Sequence, residues 1–298
     1  MIYKIDDAND SRLDELMRLS ETELLRMYEP KPGLFAAESP NVILRAMDAG
    51  YEPISILLCE DDLQPLPDEI DEALGKSKDE YLLKRVDAHK NTIKAAFDAV
   101  DQYSQDTTVY LVTRDISKQI QGFEMTRGAV CLMRRRKLPT VEDLLVTAKK
   151  VAVLEEVTNP TNLGAIFRCA AALGIDTLIL SKGCANPLYK RSMRVGMGTM
   201  FQVAWTYTDN VADTMNLLKN RGFVTLAMAL DDRAISIENV GKTGEKVAIL
   251  LGNEGYGLRD ETVEASDMTV MIPMTAGVDS LNVASASAIA FWELGRAK

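Results

Sequence analysis

Histidine is almost missing from this chain of 298 residues: there is one, His89. Its scarcity excludes a histidine-built metal centre. It also rests any Ser-His-Asp triad on a residue in the charged stretch KRVDAHKNTIK, which reads as a solvated helix face. Cysteine is sparse too. Cys59, Cys131, Cys169 and Cys184 lack the paired spacing of a zinc site or a disulfide framework, so we expect reduced residues of a cytoplasmic protein. No apolar run is long enough to span a bilayer, so no membrane partner is expected. The opening MIYKIDDANDSRLDEL is acidic and polar, unlike a secretory leader. Positive charge is also short: 34 basic against 44 acidic residues give a net charge of −10. The deficit holds in both halves, 21 against 28 in residues 1–150 and 13 against 16 in 151–298. A polyanion would have to be met by local patches. Two exist, MRRRK at 133–137 and YKRSMR at 189–194, and either alone reads equally well as a solvated face.

What is present is globular in composition, 47% hydrophobic and 26% charged, enough for one large or two medium domains. In the first half SRLDELMRLSETELLRMY has helical spacing, and Ser39-Pro40 opens a helix that Gly50 closes. ISILLCE, TTVYLVT and GAVCLMRR read as strands; EDDLQPLPDEIDEALGKSKDEY reads as a surface loop with an exposed helix. RRKLPTVEDLLVTAKK forms a polar bridge with a short helix, and the domain boundary is drawn there, giving 1–145 and 146–298. Beyond it KVAVLEEV, TLILSK, QVAWTYT, FVTLAMAL, KVAILLG and MTVMIPM are near-continuous apolar strands alternating with helices. That alternation predicts an α/β domain with a mostly parallel sheet covered on both faces. In such sheets ligands bind where loops leave the carboxyl ends of strands.

Three of those loops are unusual. The first runs into TNPTNLGAIFRCAAALG, residues 158–174, a helix apolar almost all the way round with one cation, Arg168, in its middle. A helix without a polar face is normally interior, and an interior Arg needs a carboxylate partner or a ligand. The second, LLGNEGYGL at 250–258, has three glycines in six residues, which permits close backbone approach to a ligand. Glu254 inside it would repel a pyrophosphate and suits a cationic or polyhydroxyl ligand; it would equally cap a helix near Arg259. The third, MIPMTAGVDSLNVASA at 271–286, holds Pro273 and Gly277 and ends on Ser280, an expected N-cap, ahead of an Ala/Ser-rich helix that can approach a neighbour closely.

Taken in this order, the three loops resemble the SpoU/TrmH family of RNA ribose 2′-O-methyltransferases, within the SPOUT superfamily. The resemblance is carried by Asn162, Gly164 and Arg168; by Gly252, Glu254 and Gly257; and by Ile272, Pro273, Ser280, Leu281, Asn282 and Val283. GLFAAESPNVILRAMDAG and GFEMTRGAVCLMRRRKLP are similar to the ribosomal-protein-like substrate-binding domain of this family, with Thr126 where many relatives have His. The resemblance implies a trefoil-knotted C-terminal domain, a fold that ordinary topology rules would never suggest, and a homodimer formed through it. It implies S-adenosyl-L-methionine held by Gly252, Asn253, Ile272, Leu281, Met228 and Met274, and no metal. Arg168, Asn162, Glu254, Ser280 and Asn282 would be catalytic. Arg134, Arg135, Arg136, Lys190, Arg191 and Arg194 would contact phosphates of a structured RNA, ribosomal first and transfer RNA second.

The chemistry requires a ribose 2′-oxygen in line with a methyl carbon and its sulfur, and removal of a proton as the bond forms. The matching Arg of the family is thought to act as base. A guanidinium, with pKa above about 12, is better suited to fork phosphate and 2′-oxygen together and to stabilise developing oxyanion charge. Two rival readings remain. An RNA-binding ribosome-assembly factor would need no cofactor, and a nucleotide-dependent oxidoreductase would have a Gly-rich turn after the first strand of the domain, where this chain has NPTNLG.

Overall fold

The computed structural model describes residues 1–26, 33–63, 80–103, 106–121, 128–231, 233–240, 244–275 and 280–296. Thr126, Gly277 and most of the acidic stretch after Asp62 lie outside the described residues. The chain divides into two compact units, Met1–Arg136 and Lys137–Lys298. This division falls ahead of the expected 145/146 boundary because Leu145 is buried in the core of the second unit, Val141 packs against it and Pro139 O accepts the Thr206 hydroxyl.

The first unit contains β1 (Ile2–Ile5), α1 (Glu21–Arg26), β2 (Leu34–Glu38), α2 (Pro40–Asp48), β3 (Glu52–Cys59), α3 (Glu80–Tyr103), β4 (Thr108–Val112), α4 (Arg114–Gln121) and β5 (Ala129–Arg134). Its sheet has the order β1-β4-β3-β5-β2. β1, β4 and β3 run parallel, and β5 runs antiparallel to both β3 and β2. Leu13, Leu16 and Leu24 bury against Leu34, Leu57 and Leu132 of the sheet. The helical periodicity of residues 11–28 does not give one helix: Leu19 is extended. Ser20 and Glu23 then form a reciprocal capping box that starts α1 afresh, with Ser20 N–H donating to Glu23 at 2.7 Å. α2 begins as expected with Pro40 at its first position.

The second unit contains α5 (Val141–Leu144), β6 (Lys150–Leu154), α6 (Pro160–Leu173), β7 (Thr177–Ser181), α7 (Lys190–Gly196), β8 (Ala204–Thr208), α8 (Val211–Asn220), β9 (Val224–Met228), β10 (Ile235–Ser236), β11 (Val247–Leu251), α9 (Asp260–Ala265), β12 (Met268–Met271) and α10 (Val283–Arg296). All seven strands are parallel, in the order β10-β12-β9-β11-β6-β7-β8. On one face Val151, Val153, Ile179, Ala248 and Leu250 pack against Met215 and Leu218 of α8. Alternate residues point to the other face, where α10 packs against α6 and β11, and α6 packs against α7. The α6–α7 crossing is closer than side chains allow. A Cβ on Gly164 would sit 2.4 Å from the Ser192 carbonyl oxygen, so only glycine fits there.

Candidate active site

The loops that leave β6, β11 and β12 meet at the carboxyl end of the second unit's sheet, joined by a directed chain of hydrogen bonds. α10 starts at Val283, and its cap is Asn282, whose Oδ1 accepts the Ala284 N–H at 2.9 Å. Ser280, the cap expected from the sequence, lies outside the helix because Leu281 and Asn282 are still non-helical. With its Oδ1 engaged, Asn282 turns its Nδ2 to Asn162 Oδ1, at 3.0 Å. Asn162 in turn donates its Nδ2 to Glu254 Oε1, also at 3.0 Å. Both amide orientations are thus dictated by their neighbours. Glu254 also accepts the backbone N–H groups of Thr158 at 3.2 Å and Asn159 at 3.1 Å. Burial works against its ionisation. The Asn162 amide and the backbone donors of residues 254, 159 and 158 outweigh burial and lower its pKa from the usual carboxylate value. Asn159 caps α6, its Oδ1 accepting the Thr161 N–H at 2.8 Å.

The loop after β11 closes on itself. Asn253 N–H donates to Gly257 O at 2.9 Å and Gly257 N–H returns to Asn253 O at 3.0 Å. A Cβ on Gly252 would lie 2.1 Å from the Gly257 carbonyl carbon, so the closure requires glycine. A second acid layer, which the sequence reading did not single out, braces this loop from β6. Glu155, buried, accepts the Arg259 N–H at 3.0 Å and the Thr262 hydroxyl at 2.9 Å, and so serves the start of α9. Capping near Arg259 therefore falls to Glu155, while Glu254 serves the start of α6. Glu156, in the left-handed region at φ 56°, accepts the Tyr256 hydroxyl and pairs with Arg259. The visible signal was the pair of acids ending an apolar strand.

Between these loops lies an open cleft of about 1010 Å³. Asn162, Glu254, Ser280 and Asn282 line it, as do Gly252, Asn253, Leu281, Ile272, Met228 and Met274. Every expected cofactor residue therefore reaches one cavity, together with four of the five expected catalytic residues. Asp231 and Tyr256 join them. Among the described residues no Lys, Arg or His lines the cleft, so nothing there would neutralise a phosphate. That lining, and the turn Glu155-Glu156-Val157-Thr158-Asn159 after β6, disfavour a dinucleotide. Among the described residues no group of acidic, His and Cys side chains could hold a metal ion, and no helix is long and apolar enough to cross a membrane.

Arg168 is not interior. It is exposed and does not line the cleft, and among the described residues no hydrogen bond or ion pair holds it. Of its helix, Leu163, Ile166, Phe167 and Ala170 bury against the unit, while Ala165 and Cys169 stay half-buried and Ala172 exposed. The uncovered stripe is built of small residues, which made it look like core. α10 has a comparable stripe, with Ile289 and Trp292 exposed. The basic run at 133–137 is divided. Arg135 is buried, its Nε donating to Leu34 O at 2.9 Å and its guanidinium lying over the Phe35 ring. Arg136 donates to Ala49 O and lies over Tyr51, and Arg134 pairs with Glu52 at 3.5 Å on the surface. The run at 189–194 lies on α7. Arg191 and Arg194 are exposed and Lys190 half-buried, and Arg191 Nε donates to Thr161 Oγ1 at 2.7 Å, at the mouth of α6.

Comparison with known proteins extends this geometry. The model of the SpoU rRNA Methylase family matches residues 149–292. An uncharacterized tRNA/rRNA methyltransferase of Mycobacterium bovis is 31% identical over 99% of this chain and 92% of its own length. The 23S rRNA (guanosine-2′-O-)-methyltransferase RlmB of Acinetobacter baylyi is 33% identical over 63% of this chain and 78% of its own. Among solved structures, an AdoMet-bound rRNA methyltransferase from Sinorhizobium meliloti shares the fold with a TM-score of 0.74, covering 99% of this chain and 98% of its own at 20% identity.

Proposed function

We infer the reaction from the family: the chain belongs to the SpoU rRNA methylase family and is an RNA methyltransferase. The specific reading is transfer of a methyl group from S-adenosyl-L-methionine to a ribose 2′-hydroxyl of a structured RNA. Ribosomal RNA is the preferred target and transfer RNA the second. The observation that carries it is the Asn282–Asn162–Glu254 chain, which draws three loops around a cleft that no basic side chain lines among the described residues. The substrate class named for the Acinetobacter relative supports ribosomal RNA.

The cleft suits the cofactor. Half-buried Met228, Ile272 and Met274 form an apolar floor, the backbone at Gly252 is open to close approach, and carboxylates rather than cations face the interior. Bound there, S-adenosyl-L-methionine supplies an electrophilic methyl on a sulfonium. Glu254 fixes the mouth of the cleft and favours positive charge within it. Asn162 and Asn282 hold that carboxylate in place, and Ser280 is available to orient the RNA. The chemistry the cofactor would supply is donation of that methyl to the ribose 2′-oxygen, whose proton would pass to solvent water while the carbon–sulfur electron pair stays on sulfur.

Arg168 forks the RNA phosphate and the 2′-oxygen and stabilises the oxyanion. Because it stands outside the cleft of its own chain, we read the active form as a homodimer joined through the exposed stripes of α6 and α10, with Arg168 of one copy serving the other. A trefoil knot through the loops after β11 and β12, and a cytoplasmic location, complete the reading. Lys190, Arg191, Arg194 and Arg134 are the phosphate contacts it retains.

The test is incubation of the protein with tritiated S-adenosyl-L-methionine and total RNA from a strain lacking it, wild type beside Arg168→Ala. Label in 2′-O-methyl nucleotides with wild type alone supports the reading, and the size of the labelled RNA names the class. No label and no cofactor binding by calorimetry would sink it in favour of an RNA-binding assembly factor.

A further inference from the structure

We propose that Tyr256 stacks on an unpaired base of the RNA substrate, its ring presented on the rim of the cleft by Glu156. The inference rests on the RNA methyltransferase reading and adds a residue that selects the form of the RNA.

Tyr256 lines the cleft yet is 62% exposed, and it stands between Gly255 and Gly257, which have no side chains to shield it. Burial does not account for an aromatic ring so placed. Its polar end fixes it. The hydroxyl donates to the Glu156 carboxylate, which Arg259 also grips, and the Glu156 carbonyl accepts the Asn253 amide at 2.7 Å. Glu156 makes these bonds from a left-handed backbone conformation that a glutamate rarely adopts, φ 56°. The result is a pinned ring whose apolar faces remain open to a flat ligand.

The order of the strands decides which ligand. β11 lies between β6 on one side and β9, followed by β12, on the other. The apolar floor expected to take the cofactor, Met228 and Ile272, comes from the β9 and β12 side. Glu156 follows β6, so the Tyr256 hydroxyl is tied to the opposite side. That side also carries the cations that the cleft interior lacks: Arg259 on Glu156, and Arg191 on Thr161 at the start of α6. A pinned aromatic on the side of the sheet that carries guanidinium groups is the chemistry that receives a splayed-out base and its neighbouring phosphates. A ring that needs a free base face selects an unpaired nucleotide, in a loop or bulge, over one stacked in a helix.

The test compares Tyr256→Ala with Tyr256→Phe, which keeps the ring and removes the pin. KM is measured for ribosomal RNA from a strain lacking the protein, and cofactor affinity by calorimetry. Filter binding of the same RNA is read alongside. Loss of one base–aromatic stack corresponds to about a 5- to 150-fold rise in KM for RNA. We expect a rise in that range for Tyr256→Ala, about threefold for Tyr256→Phe, and cofactor affinity within about twofold of wild type in both. Equal losses in the two variants would reduce Tyr256 to a loop pin and overturn the proposal. So would a fall in cofactor affinity in step with the loss of the ring, which would assign the stack to the cofactor. An inactive wild type would sink the methyl-transfer reading. Filter binding would still decide the stack: weaker binding of the alanine variant alone supports it, and equal binding by all three proteins overturns it.

Discussion

Replacing Gly164 by alanine should force α6 and α7 apart. The added Cβ would lie 2.4 Å from the Ser192 carbonyl oxygen and 3.1 Å from the Gly196 nitrogen, where ordinary contact begins at 3.4 Å. Both neighbours are backbone, so no side chain can swing away, and α7 must retreat by about 1 Å. Alanine favours the helix by about 1 kcal/mol. Overpacking against a rigid backbone costs about 3 kcal/mol, so a net loss of about 2 kcal/mol is expected. For a unit of the size of Lys137–Lys298, this lowers Tm by about 4–8 °C. Differential scanning calorimetry reads the shift directly. The same retreat pulls Arg191 from Thr161, now 2.7 Å apart, so RNA affinity should fall with stability. Gly174→Ala is the control. It adds strain at φ 73° but meets no atom within 4 Å, so it should cost about 1 kcal/mol and leave RNA affinity intact. A Gly164→Ala protein that melts at or above the wild-type temperature would refute the close-crossing argument.

Glu254→Gln puts an NH₂ against the backbone donors of Thr158 or Asn159, so cofactor affinity should drop about 10-fold, the equivalent of one charge-assisted hydrogen bond in a partly screened site; unchanged affinity by calorimetry would contradict the role given to Glu254. Because the folded-state pKa of this carboxyl is lowered, its contribution is fully present above the unfolded value of about 4.3 and disappears only as pH falls through the folded value. Cofactor binding should accordingly hold from pH 8 down to about 5, and loss already at pH 6 would count against it. Arg135→Ala removes a buried donor from Leu34 O and should destabilise the first unit by about 2 kcal/mol with RNA affinity kept, whereas a selective loss of RNA binding would restore Arg135 to the surface role first expected of it. Ala165→Arg puts a bulky cation on the exposed stripe of α6 and should dissociate the proposed dimer to a monomer by analytical ultracentrifugation, with methyl transfer lost; a variant that stays dimeric would move the contact elsewhere.

Much of the second unit was legible because its strands are buried on both faces. LIL, VAILL and VAVL are continuous apolar runs that permit few other readings. The first unit was harder. β1, with three exposed residues and one buried, has no pattern to announce it, and β2 runs into the Ser39-Pro40 start of α2 with little punctuation. The helical spacing of residues 11–28 was real, but the capping box at Ser20 and Glu23 is a local device that overrides periodicity. In the site, polar residues quoted in loops converged because each loop follows a strand, and parallel strands deliver their loops to one end.

Arg168 shows where such reading stops. Periodicity reports whether a helix face is apolar, and says nothing about whether the cover for that face comes from the same chain. Leu163, Ile166, Phe167 and Ala170 find theirs in the second unit; the Ala165, Cys169 and Ala172 stripe does not. Among the described residues of the second unit nothing buries that stripe fully. The same residues that argued for a buried guanidinium are, once the fold is known, the ones on which the proposed homodimer contact rests. Glu155 and Glu156 make the complementary point. Adjacent in sequence at the end of an apolar strand, they look interchangeable, yet the peptide geometry turns one inward to start α9 and the other outward to hold Tyr256. What separates them is the left-handed φ of Glu156, a backbone choice imposed by the loop it braces and invisible in the side chains themselves.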